Sequence, residues 1–298
     1  MRRGEPVRSA ETIVAARELR LARILERPLS DRVIRADVTV PGSNGAPDLV
    51  LRTHTPRDPS GPLPCIYSMH GGGYVLGHRA MDDATFDQWC PEFGVVGVSV
   101  EYRLAPEAPY PAALDDCFAG LRWVVDNADQ LGIDPTRVGL SGGSAGGGLA
   151  AAVALLARDR DELRPAFQLL AYPMLDDRQT TTSSHWDVPP TSPADVAFGW
   201  HCYLGALRDA GTDIPAYAAP ARAVDLAGLA PTLVYVGAAD VFCDEAVLFA
   251  MKLYQSGVPT ELHVVPGAPH GFDVLVPDAP ASIRCRNTVR DWLGAVLA

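Results

Sequence analysis

The chain has 298 residues, 48% of them apolar and 20% charged, which is enough to bury one large core with an accessory piece and carries no compositional sign of disorder. Twenty-five Lys and Arg against 36 Asp and Glu leave a formal net charge of -11. That charge repels phosphate backbones and anionic lipid surfaces, so nucleic acid and membrane are excluded as expected partners.

The start of the chain carries Arg2, Arg3 and Arg8 but no apolar stretch of the kind a secretory signal needs. From Ala10 to Glu26 the residues Ile13, Val14, Leu21, Ile24 and Leu25 fall on one helical face, interrupted by Arg17. Val33 to Val40 and Asp48 to His54 alternate apolar and polar around Pro41, Gly42, Asn44 and Gly45, which predicts an antiparallel opening hairpin. Short apolar runs then recur at Cys65 to Met69, Val95 to Val100, Arg137 to Leu140, Phe167 to Tyr172, Thr232 to Val236 and Glu261 to Val265. Most are followed by helical patterns, at Ala112 to Asn127, Ala145 to Ala157, Asp244 to Tyr254 and Ala281 to Leu297. Continuous apolar strands alternating with helices predict an α/β fold, a mostly parallel sheet covered on both faces.

Two segments break that rhythm: the N-terminal helix, and Asp176 to about Arg222, which is too long for a plain loop. Within the second, Ser192 can cap a helix that starts at Pro193, with Val196, Trp200, Tyr203, Leu204 and Leu207 as its apolar stripe. Both segments read as parts of a helical cap, with residues 1–45 as an N-terminal cap segment and first strand, and 46–298 as the core carrying a cap insertion at about 176–222. The longest aliphatic run, Leu149 to Ala157, is far below the roughly 18 to 20 residues that span a bilayer. The six cysteines form no CxxC and read as buried free thiols, and the seven histidines show no metal-ligand spacing. A cytoplasmic protein without metal or cofactor is the expectation.

The strand ending at Leu140 runs into Ser141-Gly142-Gly143-Ser144-Ala145-Gly146 and then directly into an Ala/Leu helix. Gly142 and Gly146 fill the two glycine positions of GxSxG, where a serine sits on a strained strand-to-helix turn and the helix N-terminus offers amides to a developing oxyanion. His70-Gly71-Gly72-Gly73-Tyr74 follows the strand Cys65 to Met69 and is the HGGG partner expected of such an elbow. A base and an orienting carboxylate should follow at later strand ends, and Asp240 and His270 occupy those places. Asp244 competes for the acid role but suits a helix N-cap better. His70 is better placed to brace its turn than to titrate.

These motifs, together with Glu101-Tyr102-Arg103-Leu104-Ala105-Pro106-Glu107 and Tyr110-Pro111-Ala112-Ala113 with Asp115-Asp116, resemble the hormone-sensitive lipase family of α/β-hydrolases, mostly bacterial carboxylesterases. The resemblance covers the chain from about Val33 to its C-terminus. It implies an eight-stranded α/β-hydrolase sheet with a helical cap, Ser144 as nucleophile, His270 as base, Asp240 as its partner, and the amides of Gly72, Gly73 and Ala145 as oxyanion donors. Tyr74, Trp200 and Tyr203 are the expected substrate-pocket residues, and Arg103 is expected to pair with a carboxylate such as Asp116. Two positions depart from the family: Gly143 precedes the serine where an acidic or hydroxyl residue is usual, and Asp240-Val241-Phe242 replaces Asp-Pro-Leu. The expected activity is hydrolysis of short- to medium-chain carboxylic esters, with a small-molecule ester as partner and a homodimer compatible with the reading. Lactone or amide hydrolysis by the same triad, and a non-catalytic receptor on the same fold, are the alternatives.

Overall fold

Strands buried on both faces need no polar alternation, and the runs that lack it form the middle of one sheet. The computed structural model describes residues 10–211 and 213–298, so the first nine residues of the expected 1–45 segment lie outside the described residues. Eight strands are present: β1 (Val33–Val40), β2 (Leu49–Pro56), β3 (Leu63–Met69), β4 (Val96–Glu101), β5 (Ile133–Gly143), β6 (Gln168–Ala171), β7 (Thr232–Gly237) and β8 (Thr260–Val265). Every residue of β3, β6 and β7 is buried, whereas the outermost strands β1 and β8 alternate with exposed positions.

The sheet order is β1-β2-β4-β3-β5-β6-β7-β8. The predicted hairpin is there, with Val33 opposite Pro56 and Val40 opposite Leu49, and β2 is also antiparallel to β4. All other pairings are parallel. Because β4 lies on one side of β3 and β5 on the other, the strand order reverses at β3. A crevice at such a switch point opens beyond the carboxyl ends of the strands, and the HGGG segment after β3 and the serine turn after β5 meet there.

Among the described residues seven helices exceed ten residues: α1 (Ala10–Leu25), α2 (Asp83–Phe93), α3 (Ala112–Asp126), α4 (Ala145–Arg160), α5 (Pro193–Leu204), α6 (Cys243–Gln255) and α7 (Pro280–Val296). Helix α4 is buried continuously from Ala145 to Ala157, as suits a helix that starts at the centre of the sheet and is apolar all round. Arg103 grips Asp116 on α3 as expected, through Nε and Nη2 at 2.8 Å each, a bidentate pair that fixes the segment after β4. All six cysteines are free and buried.

Three expectations need correction. In α1, Val14 and Leu25 are exposed and Ile13 alone is fully buried. Arg17 does not interrupt the packing face but anchors it, donating from Nε to Val75 O at 2.8 Å and from Nη2 to Ala105 O at 2.9 Å, with Glu107 paired to the same guanidinium. The second stripe also ends early: α5 stops at Leu204 and Gly205, so Leu207 lies on a separate short turn and is half-buried. The Ser192 cap is as predicted, a reciprocal capping box with Asp195. Third, Asp244 is not a helix cap; α6 begins after Phe242 without a side-chain cap. The Asp244 carboxylate instead accepts from Ser183 N at 2.8 Å while Asp244 N donates to Ser183 Oγ at 2.9 Å, tying the 176–222 segment to α6.

Candidate active site

The elbow is held by close backbone approach. Ser144 has φ 58° and ψ -123°, a conformation few side-chain-bearing residues adopt. Its amide donates to Ala171 O and its carbonyl accepts from Met174 N, both at 2.9 Å, so β6 and the residues after it fasten the turn from outside. A Cβ on Gly146 would lie 1.9 Å from Met69 O, and one on Gly142 2.2 Å from Gly146 O. No residue larger than glycine fits between the serine turn and β3.

Opposite the turn, Gly72 adopts φ 135° and its carbonyl accepts from Val75 and Leu76, which folds the chain back after β3. The amides of Gly72, Gly73 and Ala145 are left without an acceptor among the described residues, and the Ala145 amide is the first of a helix and has no intrahelical partner. His70 lies beneath this loop. Its Nδ1 is 3.1 Å from Gly71 O, its ring stacks on Tyr102 at 4.1 Å, and Tyr102 donates to His70 O at 2.7 Å. Burial pushes the imidazole down to about 4, so it is neutral and braces the turn, as the sequence reading expects.

The Asp240 and His270 loops are joined by backbone bonds, Ala238 N to Val265 O at 2.8 Å and Ala239 N to Ala268 O at 3.0 Å. They bring Asp240 Oδ2 within 2.8 Å of His270 Nδ1, and His270 Nε2 within 3.0 Å of Ser144 Oγ. Asp240 is fully buried and its other oxygen accepts from Phe242 N at 3.0 Å. Ser144, Asp240 and His270, far apart in the chain, are therefore consecutive in one hydrogen-bonded line.

Two neighbours escaped sequence reasoning. The rings of Tyr172 and Phe242 pack against the His270 ring at centroid distances of 4.8 and 5.1 Å, each inclined by 72°, so two aromatic contacts hold the imidazole. Phe242 belongs to the stretch where the chain departs from Asp-Pro-Leu, two residues after Asp240, and Tyr172 directly follows β6; an aromatic close to a triad residue in the chain was the available signal for the first. The other departure, Gly143, lies under Tyr172, since a Cβ there would meet the Tyr172 ring at 3.3 Å.

The expected pocket residues are placed differently from expectation. Tyr74, Trp200 and Tyr203 are each 0–1% exposed. Tyr74 stacks on Tyr203 at 4.0 Å and approaches Trp200 at 5.3 Å, and its hydroxyl donates to Met174 O. They form a packed wall behind the glycine loop rather than a surface for substrate, because α5 sits directly on that loop: a Cβ on Gly199 would be 2.7 Å from Gly73 O. Among the described residues no group of side chains could hold a metal ion, and no helix is long and apolar enough to cross a membrane.

A parallel sheet with a strained serine at its switch point, followed in chain order by an acid and a histidine, defines an α/β-hydrolase. The sequence profile described as the alpha/beta hydrolase fold matches residues 66–274, and the chain belongs to that family, in its hormone-sensitive-lipase-like branch. It is 36% identical over 253 residues to carboxylesterase NlhH of Mycobacterium tuberculosis, covering 83% of this chain and 79% of that protein. It is 32% identical over 241 residues to the ethyl acetate hydrolase of Pseudomonas putida, covering 75% and 71%. Among solved structures, a bacterial heroin esterase superposes with a TM-score of 0.92 at 37% identity, covering 97% of this chain and 93% of that one.

Proposed function

We propose that this chain is a serine carboxylesterase acting on esters of short- to medium-chain acids. The observation that carries the reading is the unbroken line from Asp240 through His270 to Ser144 at 2.8 and 3.0 Å. In it, Ser144 Oγ attacks the ester carbonyl while His270 Nε2 takes the hydroxyl proton. The negative oxygen is held by the amides of Gly72, Gly73 and Ala145, donors whose individual loss costs about 2.7 to 4 kcal/mol in comparable sites. Collapse of the tetrahedral intermediate expels the alcohol, which receives the proton from His270, and the acyl group stays on Ser144. Water, deprotonated by His270, then attacks the acyl-enzyme and releases the acid. Asp240 keeps the imidazole in the tautomer with its proton on Nδ1 and stabilises the imidazolium.

We read α1 and the 176–222 insertion as the cap that bounds the acyl site. Once a bounded site is full, each further methylene loses the usual ~0.8 kcal/mol of burial. Turnover of p-nitrophenyl esters from two to twelve acyl carbons tests this. We expect kcat/KM to peak at short or medium chains with no jump when micelles form; activity rising steadily to the longest chains would make the protein a lipase, and no turnover of any activated ester would favour a receptor. The reading includes a cytoplasmic setting, supported by six free buried thiols, and admits a homodimer, for which the outer edge of β8 is unpaired among the described strands.

A further inference from the structure

His270 stands on a loop whose two arms are anchored differently. On the upstream arm, Ala239 N donates to Ala268 O and so ties the chain to the Asp240 loop. On the downstream arm, the Gly271 carbonyl accepts only from Val274 and Leu275 of its own short turn among the described residues. The tie from that arm to the sheet is made by side chains: Tyr235 on β7 donates its hydroxyl to Asp273 Oδ2 at 2.8 Å. Tyr235 stands five residues before Asp240 and Asp273 three after His270. One hydrogen bond thus links the strand that carries the proposed acid to the arm that follows the proposed base.

Tyr235 also backs the ring that packs on the imidazole. Tyr172 meets Tyr235 edge to face, with centroids 5.6 Å apart and planes inclined by 86°, and meets His270 at 4.8 Å. The Tyr172 amide donates to Tyr235 O at 2.6 Å, and the carbonyl just before it, Ala171 O, is the one that accepts from Ser144 N. Tyr172 itself has φ 36°, a strained value for a residue with a side chain, and such strain persists only where the surrounding contacts impose it. Burial, and after it Asp273, pushes both phenols well above the ordinary tyrosine value, so Tyr235 keeps the proton it donates. The other carboxylate oxygen, Asp273 Oδ1, is buried without a hydrogen-bond partner among the described residues. An unpaired buried oxygen costs stability. A carboxylate kept on those terms beside the base is explained by what its one bond holds in place.

We propose that Tyr235 and Asp273 are positioning residues for the base: their hydrogen bond pins the arm after His270 to β7 and sets Tyr172 against the imidazole, so that Nε2 stays in line with Ser144 Oγ. The proposal deepens the esterase reading above and rests on it. Both residues act through His270 and Tyr172, so losing their bond lowers the rate of the chemical step and leaves substrate binding largely as it was.

The test compares Tyr235→Phe, Asp273→Ala, Asp273→Asn and the combination of the first two by kinetics on p-nitrophenyl acetate, by the rate of labelling with a fluorophosphonate probe and by melting temperature. Tyr235→Phe removes one oxygen and keeps the ring, so the packing around it stays filled. Tyr235→Phe and Asp273→Ala are each expected to lower kcat about tenfold or more with KM within about twofold, and to slow labelling by the same factor. Their combination should be no slower than the poorer single variant, because the same bond is lost in each. Asp273→Asn keeps an acceptor for the Tyr235 hydroxyl and should hold kcat within about threefold of wild type. The low-field NMR resonance of the His270 Nδ1 proton should shift or broaden in Tyr235→Phe and stay in place in Asp273→Asn. Unchanged kcat and labelling in Tyr235→Phe and Asp273→Ala, with or without a lower melting temperature, would overturn the proposal and leave the esterase reading intact. So would a loss in Asp273→Asn equal to that in Asp273→Ala, because the charge of Asp273 and not its bond would then be what matters. A wild-type protein that neither takes the label nor hydrolyses any p-nitrophenyl ester would overturn the esterase reading, and the proposal with it.

Discussion

His270 and His54 each hold a carboxylate oxygen at 2.8 Å, one at the carboxyl ends of the strands and the other where β2 meets α2. His270 pairs with Asp240 through Nδ1 and turns Nε2 to a serine hydroxyl at 3.0 Å. His54 pairs with Asp83 through Nε2, is completely buried, and leaves Nδ1 without a partner among the described residues. Asp83 is shared with Arg52 at 2.9 Å, whereas among the described residues Asp240 has no cation other than the imidazole itself when protonated. The contrast teaches that an imidazole–carboxylate pair is not in itself a catalytic unit. What distinguishes the proposed triad is a third group on a strained turn and a face open to the crevice; the His54 pair has a lattice of ions and Phe86 against its ring.

The contrast breaks most directly at the serine. Ser144→Ala should reduce ester turnover by on the order of 10⁶-fold, to background, and abolish labelling by a fluorophosphonate probe. Stoichiometric labelling of another serine in that variant would remove Ser144 from the mechanism.

Next come the two carboxylates. Asp240→Asn should lower kcat by up to about 10⁴-fold by setting the wrong imidazole tautomer, with little change in melting temperature. Asp83→Asn should do the opposite, costing roughly 1 to 3 kcal/mol of stability by weakening the buried bonds to His54 and to one arm of Arg52, which keeps Asp37, while kcat stays within about threefold. Denaturant unfolding and steady-state kinetics on both variants check the pair; loss of kcat in Asp83→Asn at unchanged stability would dissolve the distinction.

A third imidazole sharpens it further. Among the described residues His70 has no carboxylate within hydrogen-bond reach, and burial pushes it from the ordinary 6.5 down to about 4. The unfolded chain therefore binds the extra proton between those values, so the stability tied to neutral His70 is complete above pH 6.5 and is lost as pH falls toward 4, by up to about 3 kcal/mol. The His70 ring resonances should accordingly remain those of neutral imidazole at pH 5 by NMR. A midpoint near 6.5 would show that the ring is solvated and does not brace the glycine loop.

The smallest effect concerns Asp244, once a rival for the triad acid. Asp244→Asn should weaken only the reciprocal bonds with Ser183, about 1 kcal/mol or less, and leave kcat unchanged. A loss comparable to that of Asp240→Asn would reassign the acid.

The divide between what was legible in the sequence and what was not follows the range of the interactions. The hairpin, the strand–helix alternation and the serine turn are local: Gly142 and Gly146 flank Ser144 within one turn, and their spacing states the steric demand directly. Arg103 and Asp116 were also readable, through the family resemblance. Arg17 was not, because hydropathy ranks side chains by transfer from water and a guanidinium that docks a helix onto two carbonyls reads as a break in the face. Asp244 and Ser183 lie in separate elements and meet only through the fold, and Tyr172 at a strand end and Phe242 before a helix look like ordinary core aromatics until His270 is packed against them. Tyr74, Trp200 and Tyr203 failed as pocket residues for a related reason: large aromatics near a site are claimed first by packing, as their stacking on one another shows.

The contact between Gly199 and the Gly73 carbonyl sets a limit on how this protein can be altered. Because α5 rests on the same loop whose amides are the proposed oxyanion donors, the helix that would be shifted to admit larger acyl groups is also the buttress of that loop. Variation in substrate range and variation in rate are thus mechanically linked on this side of the crevice. A library that randomises α5 would be expected to lose turnover as often as it gains breadth. Helix α1 is held instead by the single buried Ile13 and by a few hydrogen bonds from Arg17 to loop carbonyls and to Glu107, so it is the element on which selection can explore new substrates with the least disturbance of the chemistry beneath.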